Sequence, residues 1–145
     1  MGIERLTPDY LSAILEIERA SFSDPWSETA FAECFAEDSP WLTLGVVEEG
    51  ELLGYICLHL IPFETHIANL AVGGDVRRMG VASVLAESAL YVARERGDER
   101  VTLEVRASNT AATALYTKLG FCVDGVQKNG YEHPREDAVL MSYKL

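Results

Sequence analysis

The sequence has few cysteines, few basic residues and no long apolar run. Its three cysteines, Cys34, Cys57 and Cys122, are widely spaced and form no Cys-x-x-Cys pair, which excludes a disulfide framework and a cysteine-based zinc site. The three histidines show no metal-ligand spacing either, so we expect no bound metal. The longest apolar stretch, residues 52–61, is far below the ~20 residues that a membrane span needs. The N-terminus has no apolar signal core, and we expect a cytoplasmic protein that does not bind membranes.

The scarcity of basic residues also argues against nucleic-acid binding. Twelve Lys and Arg face 23 Asp and Glu, for a net charge of −11, and such a chain repels a phosphate backbone. Residues 1–60 hold twelve acidic and two basic residues, whereas residues 61–145 hold eleven and ten. Two explanations stay open. The acidic residues coat solvated helix faces, or they attract a cationic partner to one side of the molecule.

At 145 residues, we expect one domain covering residues 1–145. Hydrophobic periodicity predicts a helix opening at Thr7-Pro8 and others near 27–37, 79–96 and 110–119. It predicts strands at 41–48, 51–61, 66–72, 101–106, 120–127 and 137–144. This order describes an α/β fold, a mixed sheet with helices on both faces. Both strand–helix–strand crossovers should be parallel and right-handed.

Residues 76–83, VRRMGVAS, join a predicted strand to a predicted helix. Small residues let a ligand approach the backbone, and the unpaired N–H groups of a first helical turn attract anions. A diphosphate is therefore one candidate ligand. The alternative is a glycine-containing turn with two solvated arginines.

The same segment resembles a known family. Residues 77–82, RRMGVA, match the Arg/Gln-x-x-Gly-x-Gly/Ala pattern of the GNAT superfamily of acetyl-CoA-dependent N-acetyltransferases. Residues 103–121, LEVRASNTAATALYTKLGF, resemble its RimI-type branch, the ribosomal-protein-alanine N-acetyltransferases, as do SDPWSETAF at 23–31 and REDAVLM at 135–141. The resemblance implies the GNAT fold, and transfer of the acetyl group of acetyl-CoA to a protein's N-terminal amine in a ternary complex. The acceptor it implies is a basic ribosomal protein, and we expect the enzyme to be a monomer.

The resemblance also implies site residues. Backbone groups of residues 70–72 would pair with the pantetheine arm, an N–H near Val72 would serve as oxyanion donor, and the loop amides would hold the pyrophosphate. Glu104 would be the general base and Tyr116 the general acid. The first helices and the last hairpin would shape the acceptor groove, with Trp26 and Tyr131 binding substrate. The full cofactor-binding set is Leu70, Ala71, Val72, Arg77, Arg78, Met79, Gly80, Val81, Ala82, Ser83, Asn109 and Tyr116.

Glu104 also makes chemical sense without the resemblance. An α-amine has a pKa near ~7.7–8.0 and is largely protonated at neutral pH, so a carboxylate that takes its proton is useful. Thr102, Glu104 and Arg106 share one face of their strand, although a strand between crossover helices should be buried on both faces. This polar face indicates an opening in the sheet. The alternative is an edge-strand carboxylate paired with Arg106.

Tyr116 and Asn109 have ordinary explanations as well. Tyr116 could be a core aromatic with a bonded hydroxyl, and Asn109 could cap a helix, a role compatible with contacting the cofactor. Cys122 has no adjacent base, so we expect no covalent cysteine intermediate.

Two positions depart from the RimI-type pattern. Asn129-Gly130-Tyr131 stands where the branch usually has two consecutive tyrosines, and His66 stands where relatives are commonly acidic, although Glu64 is nearby. Both concern the acceptor more than the reaction. Two other functions remain: a GNAT enzyme that acetylates a small amine or a lysine side chain, and a non-catalytic acyl-CoA-binding module.

Overall fold

The computed structural model describes residues 2–77 and 79–145. Its seven strands are β1 (Ile3–Arg5), β2 (Trp41–Glu48), β3 (Glu51–Ile61), β4 (Glu64–Val72), β5 (Arg100–Arg106), β6 (Cys122–Glu132) and β7 (Arg135–Lys144). Its four α-helices are α1 (Leu11–Ser21), α2 (Glu28–Glu33), α3 (Val81–Arg96) and α4 (Thr110–Leu119). Short 3-10 turns at Pro8–Tyr10 and Gly74–Val76 precede α1 and follow β4. No helix in these described ranges is long and apolar enough to cross a membrane.

All seven strands form one mixed sheet, in the order β1-β2-β3-β4-β5-β7-β6. The β4–β5 pair is parallel and the other neighbours are antiparallel. Because β7 runs antiparallel to both β5 and β6, the strands on either side of α4 are parallel too. The predicted mixed sheet with two parallel crossovers is confirmed.

Helices cover the two faces of the sheet unequally. On one face, α3 and α4 close a large core that includes Leu85, Leu103 and Phe121. On the other face, α1 and α2 bury a smaller cluster around Tyr55, which includes Ile14 and Phe31. We call these the α3 face and the α1 face. The α1 face of β5 has no helix over it, because α1 and α2 contribute only to the cluster over the first four strands. This bare region is where the polar residues of β5 lie.

Four elements differ from the sequence predictions. The strand β1 was not predicted, because its three residues are all exposed and show no alternation. The helix α2 ends at Glu33 rather than near residue 37, since Cys34 closes a tight turn on the Phe31 carbonyl at 2.9 Å. The helix predicted to open at Thr7-Pro8 begins as a 3-10 turn at Pro8–Tyr10, and α1 itself starts at Leu11. The last hairpin is longer than predicted because polar and turn-forming residues hide its strand character.

The last strand of the sheet, β6, is an open edge. Every residue of β6 is exposed except Gly125 and Tyr131, which are half-buried, and β6 pairs only with β7. Two register shifts interrupt that pairing, one of them between Gln127 and Tyr131. This edge therefore contributes little to either core.

The start of α3 lies close against the sheet at a glycine. A Cβ built on Gly54 would lie 3.0 Å from the Ala71 carbonyl oxygen, 3.0 Å from Val81 Cγ1 and 3.1 Å from Leu85 Cδ1. These contacts are tighter than ordinary packing, so the absence of a side chain at Gly54 lets α3 approach β4. Its position matters because the first turn of α3 belongs to the candidate site.

We therefore predict that Gly54→Ala lowers the free energy of unfolding by ~1–3 kcal/mol, the usual cost of overpacking a filled core. Urea denaturation measures the change. Gly125→Ala is the matched control, since a Cβ there meets nothing within 4 Å, and it should leave stability unchanged or slightly higher. Equal stability of the two variants would contradict the close approach.

Candidate active site

The strands β4 and β5 pair over only part of their length. Their parallel register covers Glu64–Ile67 and Arg100–Leu103, although β4 continues to Val72 and β5 to Arg106. At the same point β4 shifts register against β3, because Ala68 has no partner there. A bulge bends the strand that carries it. The sheet therefore opens into a gap between the carboxyl halves of β4 and β5.

Two residues of β4 turn their backbone groups into this gap. The Gly73 N–H donates to the Leu53 carbonyl of β3 at 2.9 Å, and Ala71, in the same register, is also directed toward β3. Because these directions alternate along a strand, the N–H and carbonyl groups of Leu70 and Val72 point the other way, where β5 no longer pairs. They can receive an extended chain that carries amide groups. Ala71 itself offers no free backbone group to the gap.

The first turn of α3, where the sequence predicts an anion site, lies after the carboxyl end of β4. Gly80 has φ +79°, a conformation that glycine adopts without strain, and its carbonyl accepts the N–H of Val84 at 3.1 Å. Among the described residues, none accepts a hydrogen bond from the N–H groups of Val81, Ala82 and Ser83. These donors stand at the positive end of the helix dipole, which supports the predicted diphosphate site.

The predicted loop residues before α3 differ in what they can offer. Arg77 is exposed and available to an anion. The N–H of Met79 already donates to the Val76 carbonyl at 3.1 Å, so it is engaged within the turn. Arg78 lies outside the described residues.

Glu104 is the first residue of β5 beyond the segment paired with β4, and it is exposed. It does not fit the alternative of an edge-strand carboxylate paired with Arg106. The strand β5 lies inside the sheet, between β4 and β7, and Arg106 instead pairs with Glu136 at 3.3 Å. Glu104 is therefore an available carboxylate at the mouth of the gap.

Tyr116 combines a buried ring with a free hydroxyl. The residue is 6% exposed and its ring packs against Phe121, with centroids 5.4 Å apart. Its hydroxyl has no hydrogen-bond partner among the described residues, yet none of their buried polar side-chain atoms is unsatisfied, so the hydroxyl keeps contact with solvent. Burial raises the pKa of Tyr116, which keeps the phenol protonated and able to donate. The alternative explanation is a core aromatic with a hydrogen-bonded hydroxyl. The structure confirms that the ring lies in the core, but among the described residues the hydroxyl has no hydrogen-bond partner.

Asn109 caps α4, as one of its predicted roles required. Its Oδ1 accepts the Ala112 N–H at 3.1 Å. The residue is exposed, which leaves its side-chain NH₂ free to meet a ligand. Contact with a cofactor stays a prediction.

Aromatic side chains form a wall on the α1 face. Trp26 packs against Phe31, with centroids 5.3 Å apart, and meets Trp41 edge-on at 6.4 Å. Trp41 stacks on His59 at 4.4 Å with the planes 11° apart. We call Trp26, Trp41 and His59 the aromatic wall. It lies on the same face as Glu104, because Trp41, His59, His66 and Thr102 are consecutive partners across the sheet.

Tyr131 lies on the last hairpin beside Arg106 of β5. The Arg106 guanidinium lies 4.3 Å from the centre of the Tyr131 ring. Burial and, after it, the charge of Glu104 raise the pKa of Tyr131. The presence of glycine at the neighbouring position 130 has a structural explanation, since a Cβ there would lie 2.7 Å from the Ala138 Cβ. The departure from two tyrosines thus accompanies a tight contact between β6 and β7.

The acidic residue nearest in sequence to His66 is already engaged. Glu64 pairs with Arg100 at 2.7 Å through one oxygen and accepts the Thr102 hydroxyl at 2.8 Å through the other. It is therefore a poor substitute for Glu104 as a base. The His66 Nδ1 lies 2.7 Å from the Thr102 hydroxyl, and burial lowers the pKa of His66, while the charges of Glu104 and Glu64 oppose that shift.

Sequence reasoning missed a buried carboxylate beneath the wall. Glu18 is 1% exposed, although glutamate is almost never fully buried unless it is paired. Its Oε2 accepts a hydrogen bond from the backbone N–H of Trp26 at 2.8 Å. Its Oε1 accepts hydrogen bonds from the Asn69 side-chain amide at 2.9 Å and from the Tyr55 hydroxyl. One signal was present: Glu18 continues the helical spacing of Ile14 and Leu15, so a charge falls on the apolar stripe.

No group of three or more His, Cys, Asp or Glu side chains in the described ranges could hold a metal ion. The chemistry available to the site comes from Glu104, the Tyr116 phenol and backbone donors. Together with an anion site and an open strand edge, they suit the transfer of a group from a phosphate-bearing carrier to a nucleophile.

Comparisons with known proteins agree with this geometry. A family model described as Acetyltransferase (GNAT) family matches residues 11–121. A [ribosomal protein bS18]-alanine N-acetyltransferase of Escherichia coli K12 is 34% identical over 145 residues, covering 99% of this chain and 97% of that protein. The crystal structure of the ribosomal-protein-S18-alanine N-acetyltransferase from Escherichia coli superposes with a TM-score of 0.90 at 33% identity, covering 99% of this chain and 92% of the other. Ard1 from Thermoplasma volcanium gives 0.87 at 26%, with 99% and 97% covered.

We predict that Glu104→Gln lowers the pKa of His66, because the variant removes a negative charge that favours the imidazolium. In the wild type the His66 pKa should lie below its ordinary value of 6.5, since burial disfavours the charged ring. An NMR titration of the histidine Cε1 protons measures both values, with His66→Gln assigning the resonance. An unchanged His66 pKa in Glu104→Gln would show that the two side chains do not interact.

Proposed function

The chain belongs to the GNAT family of acetyltransferases, which use acetyl-CoA, and we propose that it acetylates the N-terminal alanine amine of a basic ribosomal protein. One observation carries the proposal. Glu104 is an exposed carboxylate at the point where β4 and β5 part. It lies on the face of the sheet that holds the aromatic wall, so an amine that enters along this wall meets a base.

The residues of the gap fit acetyl-CoA. The backbone groups of Leu70 and Val72 can pair with the amides of its pantetheine arm. The free N–H groups at the start of α3 can bind its pyrophosphate, with Arg77 beside them and Asn109 at the start of α4. When bound, acetyl-CoA supplies an acetyl group activated as a thioester.

Three groups of the chain then act on the reacting atoms: one accepts a proton, one stabilises negative charge and one donates a proton. Glu104 takes a proton from the attacking amine, directly or through water, a role that typically contributes ~10²–10⁴-fold. The Val72 N–H donates to the acetyl oxygen as it gains negative charge, which is worth ~2.7–4 kcal/mol for donors of this kind. Tyr116 gives its proton to the departing sulfur. The carbon–nitrogen bond forms as the carbon–sulfur bond breaks, without an enzyme-bound acetyl group.

The acceptor is inferred from similarity and charge. The Escherichia coli relative, similar over nearly its whole length, is named for the alanine of ribosomal protein bS18. The excess of acidic residues in the first 60 positions would speed encounter with a basic protein. We place this reaction in the cytoplasm, in keeping with three free cysteines. We further propose that the enzyme acts as a monomer, without nucleic acid or a membrane.

We expect the protein to acetylate a basic peptide with N-terminal alanine, and to leave the same peptide untouched when its α-amine is blocked. Mass spectrometry after incubation with acetyl-CoA measures the product and, by fragmentation, its position. Lysine-containing peptides and small amines complete the panel. Acetylation confined to lysine or small amines would overturn the acceptor assignment, and CoA binding without turnover on any amine would indicate a binding module.

Glu104→Gln should lower kcat by ~10²–10⁴-fold, because it removes the proton acceptor. The melting temperature should not change, since the side chain is exposed. Tyr116→Phe should lower kcat less, because a thiolate already leaves well without assistance. Glu87→Gln, an exposed acid on the middle of α3, serves as the control with unchanged kcat. Full activity of Glu104→Gln would refute its role as base.

A further inference from the structure

The buried carboxylate of Glu18 has no role in the mechanism above. It is 1% exposed, and in the part of the chain that the structure describes it forms no ion pair. Taking a carboxylate out of water costs several kcal/mol, and three hydrogen bonds offset that cost here. An apolar side chain would fill the same place without this cost. The carboxylate therefore calls for an explanation other than stability.

The three donors come from separate parts of the chain. The backbone N–H of Trp26 belongs to the loop between α1 and α2, the Tyr55 hydroxyl belongs to β3, and the Asn69 side-chain amide belongs to β4. One carboxylate thus ties that loop to the sheet. Both carboxylate oxygens accept directional hydrogen bonds. The carboxylate therefore holds the loop on the sheet and also sets the distance and orientation of the loop relative to the sheet.

Two of these donors lie at the edges of the proposed site. Asn69 directly follows Ala68, the unpartnered residue at which β4 leaves β5. Trp26 begins the aromatic wall, since its ring meets Trp41, which stacks on His59. Glu18 therefore connects β4, which lines the gap between β4 and β5, to the loop that carries Trp26 of the aromatic wall.

We propose that Glu18 is a positioning residue for the acceptor: it holds the Trp26 loop at a fixed place relative to β4, and so sets the width of the groove through which the N-terminal amine reaches Glu104. This inference rests on the proposed function. It assigns specificity for the acceptor to a residue that touches neither substrate. Acetyl-CoA binding, which depends on Leu70, Val72 and α3, is independent of Glu18.

Two variants separate the carboxylate from the packing around it. Tyr55→Phe removes one donor and keeps the Trp26 loop bonded to Glu18. The double variant Glu18→Leu/Tyr55→Phe removes the carboxylate together with its Tyr55 donor, and leaves the Trp26 and Asn69 donors without this acceptor. Thr43→Val is a second control, because it removes a buried hydrogen bond to the Cys34 carbonyl on the same face without touching Glu18.

Steady-state kinetics with an N-terminal alanine peptide give the first readout. In the double variant the KM for the peptide should rise ~10-fold or more, in line with losing a hydrogen bond to a charged group. The KM for acetyl-CoA should stay within about twofold. Tyr55→Phe and Thr43→Val should change neither value. Glu18→Gln, whose amide oxygen can still accept the Trp26 N–H, should restore most of the peptide affinity. An unchanged peptide KM in the double variant, or an equal rise for both substrates, would overturn the proposal.

Tryptophan fluorescence gives a readout that needs no turnover. The chain has two tryptophans, so in a Trp41→Phe background Trp26 is the sole emitter. Adding the double substitution should increase acrylamide quenching of Trp26, whereas adding Thr43→Val should not. If wild-type protein acetylates no peptide, the proposed function fails, while this measurement still decides whether Glu18 holds the loop.

Trp26→Ala keeps the test decisive should the double variant not fold. It leaves the carboxylate in place and removes the indole that the carboxylate positions. The peptide KM should rise at least as much as expected for the double variant. A peptide KM that Trp26→Ala leaves unchanged would overturn the proposal.

Discussion

The site depends on a single interruption of the backbone hydrogen-bond ladder. Within a sheet, parallel neighbours satisfy each other's N–H and carbonyl groups, and unpaired groups in the interior are costly. Here β4 and β5 stop pairing after Ile67 and Leu103, and the bulge at Ala68 turns β4 away. The polar groups beyond that point stay open to a ligand. Without this interruption, β4 would pair with β5 beside Glu104, and Val72 would have a protein partner.

The two faces of the sheet contribute different parts of the proposed site. On the α3 face, the close approach at Gly54 brings the first turn of α3 next to the sheet, so the proposed anion site and the open strand edge lie at the same end of the sheet. On the α1 face, helices cover only the first strands, which leaves the polar side of β5 bare. The donor of the acyl group and its acceptor can thus enter from different sides and meet at the gap.

Much of this arrangement could be predicted from the sequence, because strong local signals carry it. Val81, Leu85 and Ala89 mark the buried side of α3, and the polar residues of β5 interrupt an apolar strand. The splay itself could not be read, since it depends on pairing between β4 and β5, and neither strand encodes its partner. The buried state of Glu18 depends on donors up to 51 positions away, beyond any helical pattern. The contacts of acetyl-CoA with all of the predicted site residues stay predictions.

The open edge formed by β6 bears on how such an enzyme can diverge. Because nearly all of β6 is exposed and it pairs only with β7, substitutions there cost little folding free energy. The proposed coenzyme site, in contrast, is built on strands and a helix that form the main core. Natural variation can therefore alter the selection of polypeptide targets through this hairpin, while the chemistry of acyl transfer is inherited intact.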